Sequence, residues 1–184
     1  MAMPAALDRY YTREEVLAIP DDGNRYELVH GELLVSPAPR ALHQRAVFSI
    51  ARTLHDYVHV HRMGEVLIAP ADIAFGRPEA VLVQPDVFVV GPEHLGQEWE
   101  DIRQLRLVVE VLSPSTVRYD RFTKRRLYQE VQVPVYWIID PEQQRAEVWT
   151  PDANTPRYEA ERLVWHPDPS TEPLTVVLSS LFAP

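Results

Sequence analysis

Several common features are missing from this sequence of 184 residues. It has no cysteine, which excludes disulfides and thiolate zinc sites and fits a reducing compartment, so we expect a cytoplasmic protein. No apolar run approaches the length of a membrane span, and residues 1–10 lack the basic and apolar regions of a secretion signal. The sequence also has no Gly-rich phosphate loop and no nucleophile elbow, which argues against P-loop, Rossmann and serine-hydrolase functions.

An excess of positive charge is missing as well, because the formal net charge is −9. A protein that coats nucleic acid through bulk electrostatics would be basic. Any contact with nucleic acid must therefore be local.

The length and composition favour one globular domain over residues 1–184. The hydrophobic fraction of 46% and the charged fraction of 24% are ordinary for a soluble protein. A chain of this length can bury roughly 70% of its unfolded surface. Most of the 17 prolines fall between apolar runs, where they mark short connections between elements.

The pattern along the chain predicts an α+β fold with a β-hairpin near the N-terminus. Thr12 and Glu15 fit a capping box that starts a short helix, and His30-Gly31 joins the two strands of the hairpin. Helical periodicity predicts further helices over about 41–59 and 120–131. Short apolar runs predict strands over 66–69, 73–75, 81–83, 87–90, 107–112, 135–139 and 146–149, with peripheral strands over 158–165 and 174–178.

Two carboxylates stand inside apolar runs, Asp86 within 83–90 and Glu110 within 107–112. A buried ionised carboxylate costs several kcal/mol unless a cation compensates it. If the two strands are neighbours, the pair predicts a divalent metal site. The alternatives are a sheet-edge position or an arginine partner for Glu110, and a simple strand start after proline for Asp86.

Lys124 is the third candidate, because it extends the core-facing stripe formed by Leu127, Tyr128 and Val131. Its ammonium could either pass the sheet edge into solvent or reach the carboxylate pair. The neighbouring arginines form a basic cluster suited to phosphate and equally typical of a solvated helix face: Arg118, Arg121, Arg125 and Arg126.

Three more residues are candidates for a supporting role. His43 opens the long helix and could face a site at its N-terminal end. Glu27 and Asp72 lie in strand-like runs, and for Glu27 a surface ion pair is the default expectation. His55 and His59 are spaced to chelate zinc, but the glutamate of a metalloprotease motif is missing, so we do not expect a metal there.

Five motifs are distributed along the chain. They are Arg25-Tyr-Glu-Leu-Val-His-Gly-Glu-Leu, Gln84-Pro-Asp86, Val108-Val-Glu110-Val-Leu-Ser-Pro-Ser-Thr-Val-Arg-Tyr-Asp120, Lys124-Arg-Arg-Leu-Tyr128 and Val133-Pro-Val-Tyr-Trp-Ile-Ile-Asp-Pro141. Together they resemble the putative restriction endonuclease domain family, a branch of the PD-(D/E)XK nuclease superfamily. The resemblance covers about residues 11–182, the expected domain core.

The resemblance implies a restriction-endonuclease-like mixed β-sheet flanked by helices, with metal held by Asp86, Glu110 and the Val111 carbonyl. The lysine of the motif is replaced by Leu112, which cannot orient a water or stabilise negative charge. The resemblance implies that Lys124 takes the place of that amine. Asp86, Glu110 and Lys124 are thus the expected catalytic residues.

The sequence therefore predicts an endonuclease that depends on Mg²⁺ or Mn²⁺ and acts on DNA. The alternative is a non-catalytic nucleic-acid-binding or regulatory domain that keeps the nuclease fold. A membrane partner is not expected. A homodimer stays open, since two sites could then address two strands.

Overall fold

The computed structural model describes residues 9–77 and 80–182. Its helices are α1 (Arg13–Leu17), α2 (Ala41–Val60), α3 (Arg125–Glu130) and α4 (Leu178–Phe182), and a π-helical segment (Tyr119–Lys124) precedes α3. Its strands are β1 (Arg25–Val29), β2 (Glu32–Ser36), β3 (Glu65–Ile68), β4 (Val81–Leu82), β5 (Val87–Val90), β6 (Leu107–Val111), β7 (Tyr136–Asp140), β8 (Arg145–Trp149), β9 (Arg157–Glu159), β10 (Arg162–Trp165) and β11 (Leu174–Val177). Short 3₁₀ turns cover Pro92–His94 and Trp99–Asp101.

The N-terminal part forms as the local sequence signals predict. Thr12 caps α1 and exchanges hydrogen bonds with Glu15 in a complete capping box. His30 and Gly31 have φ values of 51° and 84° in the turn between β1 and β2, the conformation that a two-residue hairpin turn requires. The short strand β4 pairs with β1 and completes a sheet in the order β2-β1-β4. The prediction about a secretion signal falls mostly outside the described residues.

The main sheet has six strands in the order β3-β5-β6-β7-β8-β9. Only β6 and β7 are parallel within it, and the helical segment that connects them completes a strand–helix–strand unit. Strands β5, β6 and β7 are buried along their whole length, as their uninterrupted apolar runs indicate.

Both faces of this sheet are covered. Helix α2 buries Ile50, Leu54 and Val58 on one face, together with β10, β11 and α4. The other face packs against Leu127 and Tyr128 of α3 and against the hairpin sheet. Asp86 and Glu110 belong to this second face, so the site lies between the main sheet, the hairpin and the π-helical segment. This is the mixed β-sheet flanked by helices that the sequence predicts.

Three predicted elements differ from the structure. The peripheral strand predicted over 158–165 is two strands, because β9 pairs with β8 in the main sheet whereas β10 pairs with β11 in a separate two-stranded sheet. The run 73–75 is not a strand, because Ile73 makes one isolated bridge to Val83 and the chain then turns through Phe75 at φ 52° and Gly76 at φ 70°. The helix predicted over 120–131 starts earlier, at Val117, and is π-helical from Tyr119 to Lys124. Among the described residues, no helix is long and apolar enough to cross a membrane.

Candidate active site

Asp86 and Glu110 lie opposite each other on adjacent strands. The antiparallel register pairs Val87 with Val109 and Phe88 with Val108, and one further step brings Asp86 level with Glu110. The Val111 N–H donates to Asp86 Oδ2 over 2.9 Å, and the Asp86 N–H donates to Glu110 Oε2 over 3.4 Å. Because directly opposed residues share a face of the sheet, the two carboxylates converge on one point.

Lys124 reaches this point from the π-helical segment. Its Nζ lies 2.6 Å from Glu110 Oε1 and 2.9 Å from Glu27 Oε1. The side chain is 3% exposed, so it does not extend into solvent. The ammonium therefore lies between Glu27 of the hairpin and Glu110 of strand β6.

Asp86 is held by two side chains from other elements. The Arg25 guanidinium donates to Asp86 Oδ1 over 2.9 Å, and His43 Nε2 lies 3.1 Å from Asp86 Oδ2. Arg25 comes from β1 and His43 from the first turn of α2. The carboxylate thus has a fixed orientation, because both oxygens have partners with defined positions.

Asp120 and Tyr128 complete the cluster from the helix that follows β6. Asp120 Oδ1 lies 3.7 Å from Lys124 Nζ, and the Tyr128 hydroxyl donates to Glu110 Oε1 over 2.9 Å. The Tyr136 hydroxyl of β7 donates to the Asp120 carbonyl over 3.0 Å, which ties the π-helical segment to the sheet. Single turns of π-helix are frequent at functional sites, and this one presents Asp120 and Lys124 to the same point.

The cluster contains more negative than positive charge. Its four carboxyl groups are buried: Glu27, Asp86, Glu110 and Asp120. Arg25 and Lys124 supply two permanent cations, so full ionisation would leave two negative charges uncompensated.

The pKa values of the carboxyl groups reflect this imbalance. Burial would raise the pKa of Asp86, but the hydrogen bond from His43 and the nearby charges of His43, Arg25 and Lys124 hold it well below its usual range. Burial raises the pKa of Glu110 well above its usual value despite Lys124, and the charges of Asp86 and Asp120 add to the effect. Burial likewise raises the pKa of Asp120 to about 6. Glu110 and Asp120 are therefore the carboxyl groups of the cluster that take up protons most readily as pH falls.

Lys124 stays charged in this setting. Burial would lower the pKa of its ammonium, but the charges of Glu110, Glu27 and Asp120 hold the pKa above its usual value. The lysine therefore acts as a cation and hydrogen-bond donor, and it cannot serve as a general base near neutral pH.

A small cavity of about 20 Å³ lies between these side chains. That is room for about one water molecule. Hydroxyl groups of Ser36, Ser113 and Thr116 line it beside the charged residues. A wider cavity of about 460 Å³ shares Arg25, Pro37 and Pro39 with it.

The other residues singled out in the sequence have different positions. The default expectation of a surface ion pair for Glu27 is wrong: this side chain is buried, pairs with Lys124, and accepts from the Gln84 N–H over 2.8 Å. Asp72 lies outside the cluster and accepts from the Gln84 side chain over 2.8 Å, so only Gln84 connects it to the charged groups.

Two other features of the sequence lie away from the charged cluster. Leu112 is buried in the core of the same sheet face. His55 and His59 stack with ring centroids 5.7 Å apart.

Three members of the cluster were not among the candidates from the sequence: Arg25, Asp120 and Tyr128. The spacing of each residue from a candidate residue could have indicated that it faces the same site. Arg25 lies two residues before Glu27, on the same side of β1, and Asp120 and Tyr128 lie four residues before and after Lys124.

Within residues 9–77 and 80–182, no three His, Asp or Glu side chains are arranged to hold one metal ion together.

The mixed sheet, with this carboxylate pair on adjoining strands, has the fold of a nuclease of the restriction-endonuclease type. The chain belongs to the family Uma2, "Putative restriction endonuclease", whose model matches residues 13–181. It is also similar to the crystal structure of a "putative nuclease belonging to DUF820" from Anabaena variabilis, with a TM-score of 0.70 and 20% sequence identity over 94% of this chain and 97% of that one. No curated protein matches the chain.

Proposed function

We propose that this protein is an endonuclease that hydrolyses phosphodiester bonds of DNA with the help of a divalent metal ion. One observation carries the proposal. Two buried carboxylates, Asp86 and Glu110, converge from adjacent strands, and the Lys124 ammonium lies 2.6 Å from the second of them. Family membership supports a nuclease activity.

The chemistry of the donor groups fits Mg²⁺ or Mn²⁺. Asp86 and Glu110 offer carboxylate oxygens, which these hard cations prefer. The Val111 carbonyl is the third ligand we propose, since the N–H of the same residue already points to Asp86 and strand residues direct both groups to the same neighbour. A dication would also balance the two excess negative charges of the cluster. Glu110 would then bind it in the deprotonated form.

When bound, the ion would supply Lewis-acid stabilisation of the scissile phosphate and lower the pKa of a coordinated water. The protein supplies orientation and charge. Arg25 and His43 hold the Asp86 carboxylate in position, and Tyr128 does the same for Glu110. Lys124 would orient the attacking water and stabilise the negative charge that develops on the phosphoryl oxygens.

We also propose that the substrate is DNA and that two copies of the protein form a homodimer. Two copies of the site would be needed for concerted cleavage of both strands, whereas a monomer would nick one strand at a time. Size measurement of the purified protein, together with the ratio of nicked to linear plasmid, separates these cases.

A second candidate function is a non-catalytic nucleic-acid-binding or regulatory domain on the nuclease fold. The observation that favours it is Leu112, which is 7% exposed and fills core space where the motif has its lysine. In that case Lys124 would only neutralise buried carboxylates. Such a domain would not need a divalent ion for its function.

Cleavage of supercoiled plasmid decides between the two. The purified protein is incubated with plasmid and Mg²⁺ or Mn²⁺, with EDTA as the metal-free comparison. Glu110→Gln keeps the shape of the side chain and removes its charge, and Glu142→Gln is the control at an exposed carboxylate. The nuclease proposal requires metal-dependent nicking by the wild type and the control and its loss in Glu110→Gln. Equal nicking by both variants would refute the assigned site.

A further inference from the structure

Three exposed side chains form a stripe on the outer side of the helix that carries Lys124. Arg118, Phe122 and Arg126 follow one another at intervals of four residues, and Phe122 is 56% exposed. Side chains four apart are neighbours on a helix surface. We call this set the Arg-Phe-Arg stripe.

The structure divides the arginine cluster of this region into two pairs with different surroundings. Arg121 binds Glu147 and Asp140, and Arg125 lies over the Trp149 ring with its centroid 4.7 Å away. Both are engaged within the protein.

Arg118 and Arg126 are exposed, and neither forms an ion pair with a carboxylate in the described ranges 9–77 and 80–182. Their charges are therefore free for an external anion. This is notable in a protein with a formal net charge of −9.

The stripe forms one wall of a surface groove. The groove has a volume of about 740 Å³, with an adjoining part of about 430 Å³ that includes Phe122. The hairpin turn over residues 29–33 forms the opposite wall, and Tyr10 stands at the groove with 76% of its surface exposed. Two other charged side chains line the groove: Arg9, which forms an ion pair with Glu15, and Glu32, whose carboxylate is exposed.

One helix lies between the groove and the candidate active site and contributes side chains to both. The inner side of this helix presents Asp120 and Lys124 to the carboxylates, and its outer side presents the stripe. Thr116, which lines the small cavity of the site, precedes Arg118 by only two residues.

We propose that this groove binds a single-stranded segment of the nucleic-acid substrate. The inference rests on the proposed nuclease function and names the form of nucleic acid that the protein holds beside its site. Guanidinium groups bind phosphates through paired hydrogen bonds. Exposed aromatic rings stack on unpaired bases, and this combination is typical of proteins that bind single strands.

The aromatic positions favour a single strand over a duplex. Bases in a duplex are stacked on one another and offer no free face to a ring such as Phe122, whereas unpaired bases do. Phe122 lies midway between Arg118 and Arg126, four residues from each. A base on the ring would thus have a phosphate contact on either side.

A binding assay under conditions that prevent cleavage tests the proposal. Fluorescence anisotropy is measured in EDTA for a labelled pyrimidine oligonucleotide and for the same sequence in a duplex, at several salt concentrations. We expect tighter binding of the single strand. Arg118→Ala/Arg126→Ala should weaken it at least tenfold and reduce the slope of log K against log salt by about 1.4.

Matched variants distinguish binding by the Arg-Phe-Arg stripe from a general effect of positive charge on the protein surface. Arg52→Ala/Arg162→Ala removes two exposed arginines elsewhere and should bind as the wild type does. Phe122→Leu should weaken binding by roughly 5- to 100-fold through loss of stacking, and Phe122→Tyr should retain it.

Three outcomes would overturn the groove proposal: no binding of the single strand, an equal effect of both arginine pairs, or no effect of Phe122→Leu. None of them bears on the nuclease proposal, which plasmid cleavage tests with the same preparations. Conversely, loss of binding in the stripe variants together with a protein that never cleaves would support the groove and refute the nuclease.

Discussion

Replacement of Lys124 with Met tests the buried charge cluster, because the substitution keeps the apolar stem and removes the ammonium. Lys124 lies 2.6 Å from Glu110 and 2.9 Å from Glu27, and none of the three side chains is more than 4% exposed. Removal of one partner from a buried ion pair costs about 3–5 kcal/mol, since the other charge stays buried. At about 2–4 °C per kcal/mol for a chain of this size, the Tm in EDTA should fall by roughly 6–20 °C.

The stability that Lys124→Met loses should depend on pH. Burial raises the pKa of Glu110 in the folded protein, and removal of the lysine raises it further. A carboxyl group with a raised pKa in the folded state contributes stability below its ordinary pKa and loses that contribution as pH rises. The destabilisation of Lys124→Met relative to wild type should therefore be small near pH 4 and largest above pH 7.

A double variant isolates the pair. In Lys124→Met/Glu110→Gln the buried charge is gone along with its partner, so most of the lost stability should return. The assay is urea denaturation in EDTA for the wild type, both single variants and the double variant, with Arg162→Met as an exposed control. A loss below about 1 kcal/mol at pH 8, or an additive double variant, would refute the argument.

The same variant bears on catalysis. At a temperature where Lys124→Met is folded, plasmid nicking should fall by roughly 10²–10³-fold, the usual effect of losing one group that stabilises transition-state charge. Metal-induced stabilisation should remain, because Asp86 and Glu110 are still present. Nicking at the wild-type rate would leave the lysine with a structural role only.

Two further predictions concern the carboxyl groups. Mg²⁺ or Mn²⁺ should raise the Tm of the wild type, and Asp86→Asn should abolish this rise; an unchanged response would mean that the ion binds elsewhere. Burial raises the pKa of Asp120 to about 6, so this group lowers the stability of the metal-free protein as pH rises from about 4 through 6, by up to roughly 3 kcal/mol. The wild type should lose stability relative to Asp120→Asn over that range in urea denaturation, and parallel pH profiles would contradict the prediction.

The sequence predicts the central part of the site because its signals are local. Asp86 and Glu110 each interrupt an apolar run, and a carboxylate in such a run requires compensation wherever the strand lies in the sheet. Lys124 follows from the helical stripe that it shares with Leu127 and Tyr128. This works although the segment around Lys124 is π-helical, since residues four apart still face the same side.

The rest of the cluster depends on how distant elements pack. Glu27 and Arg25 face the core only because the hairpin sheet covers the main sheet beside β5, and nothing within 25–29 indicates that contact. The surface ion pair expected for Glu27 is a sound default for an isolated hairpin. Similarly, the run 73–75 has the composition of a strand, but the positive φ of Phe75 ends the pairing after one bridge.

The position of a bound ion tests the central claim most directly. Crystals of the protein soaked in Mn²⁺ would reveal the ion by its anomalous scattering. We predict one peak between Asp86 and Glu110, about 2.0–2.6 Å from their carboxylate oxygens and from the Val111 carbonyl. A peak at any other group of residues, or no peak between these carboxylates at millimolar Mn²⁺, would contradict the account.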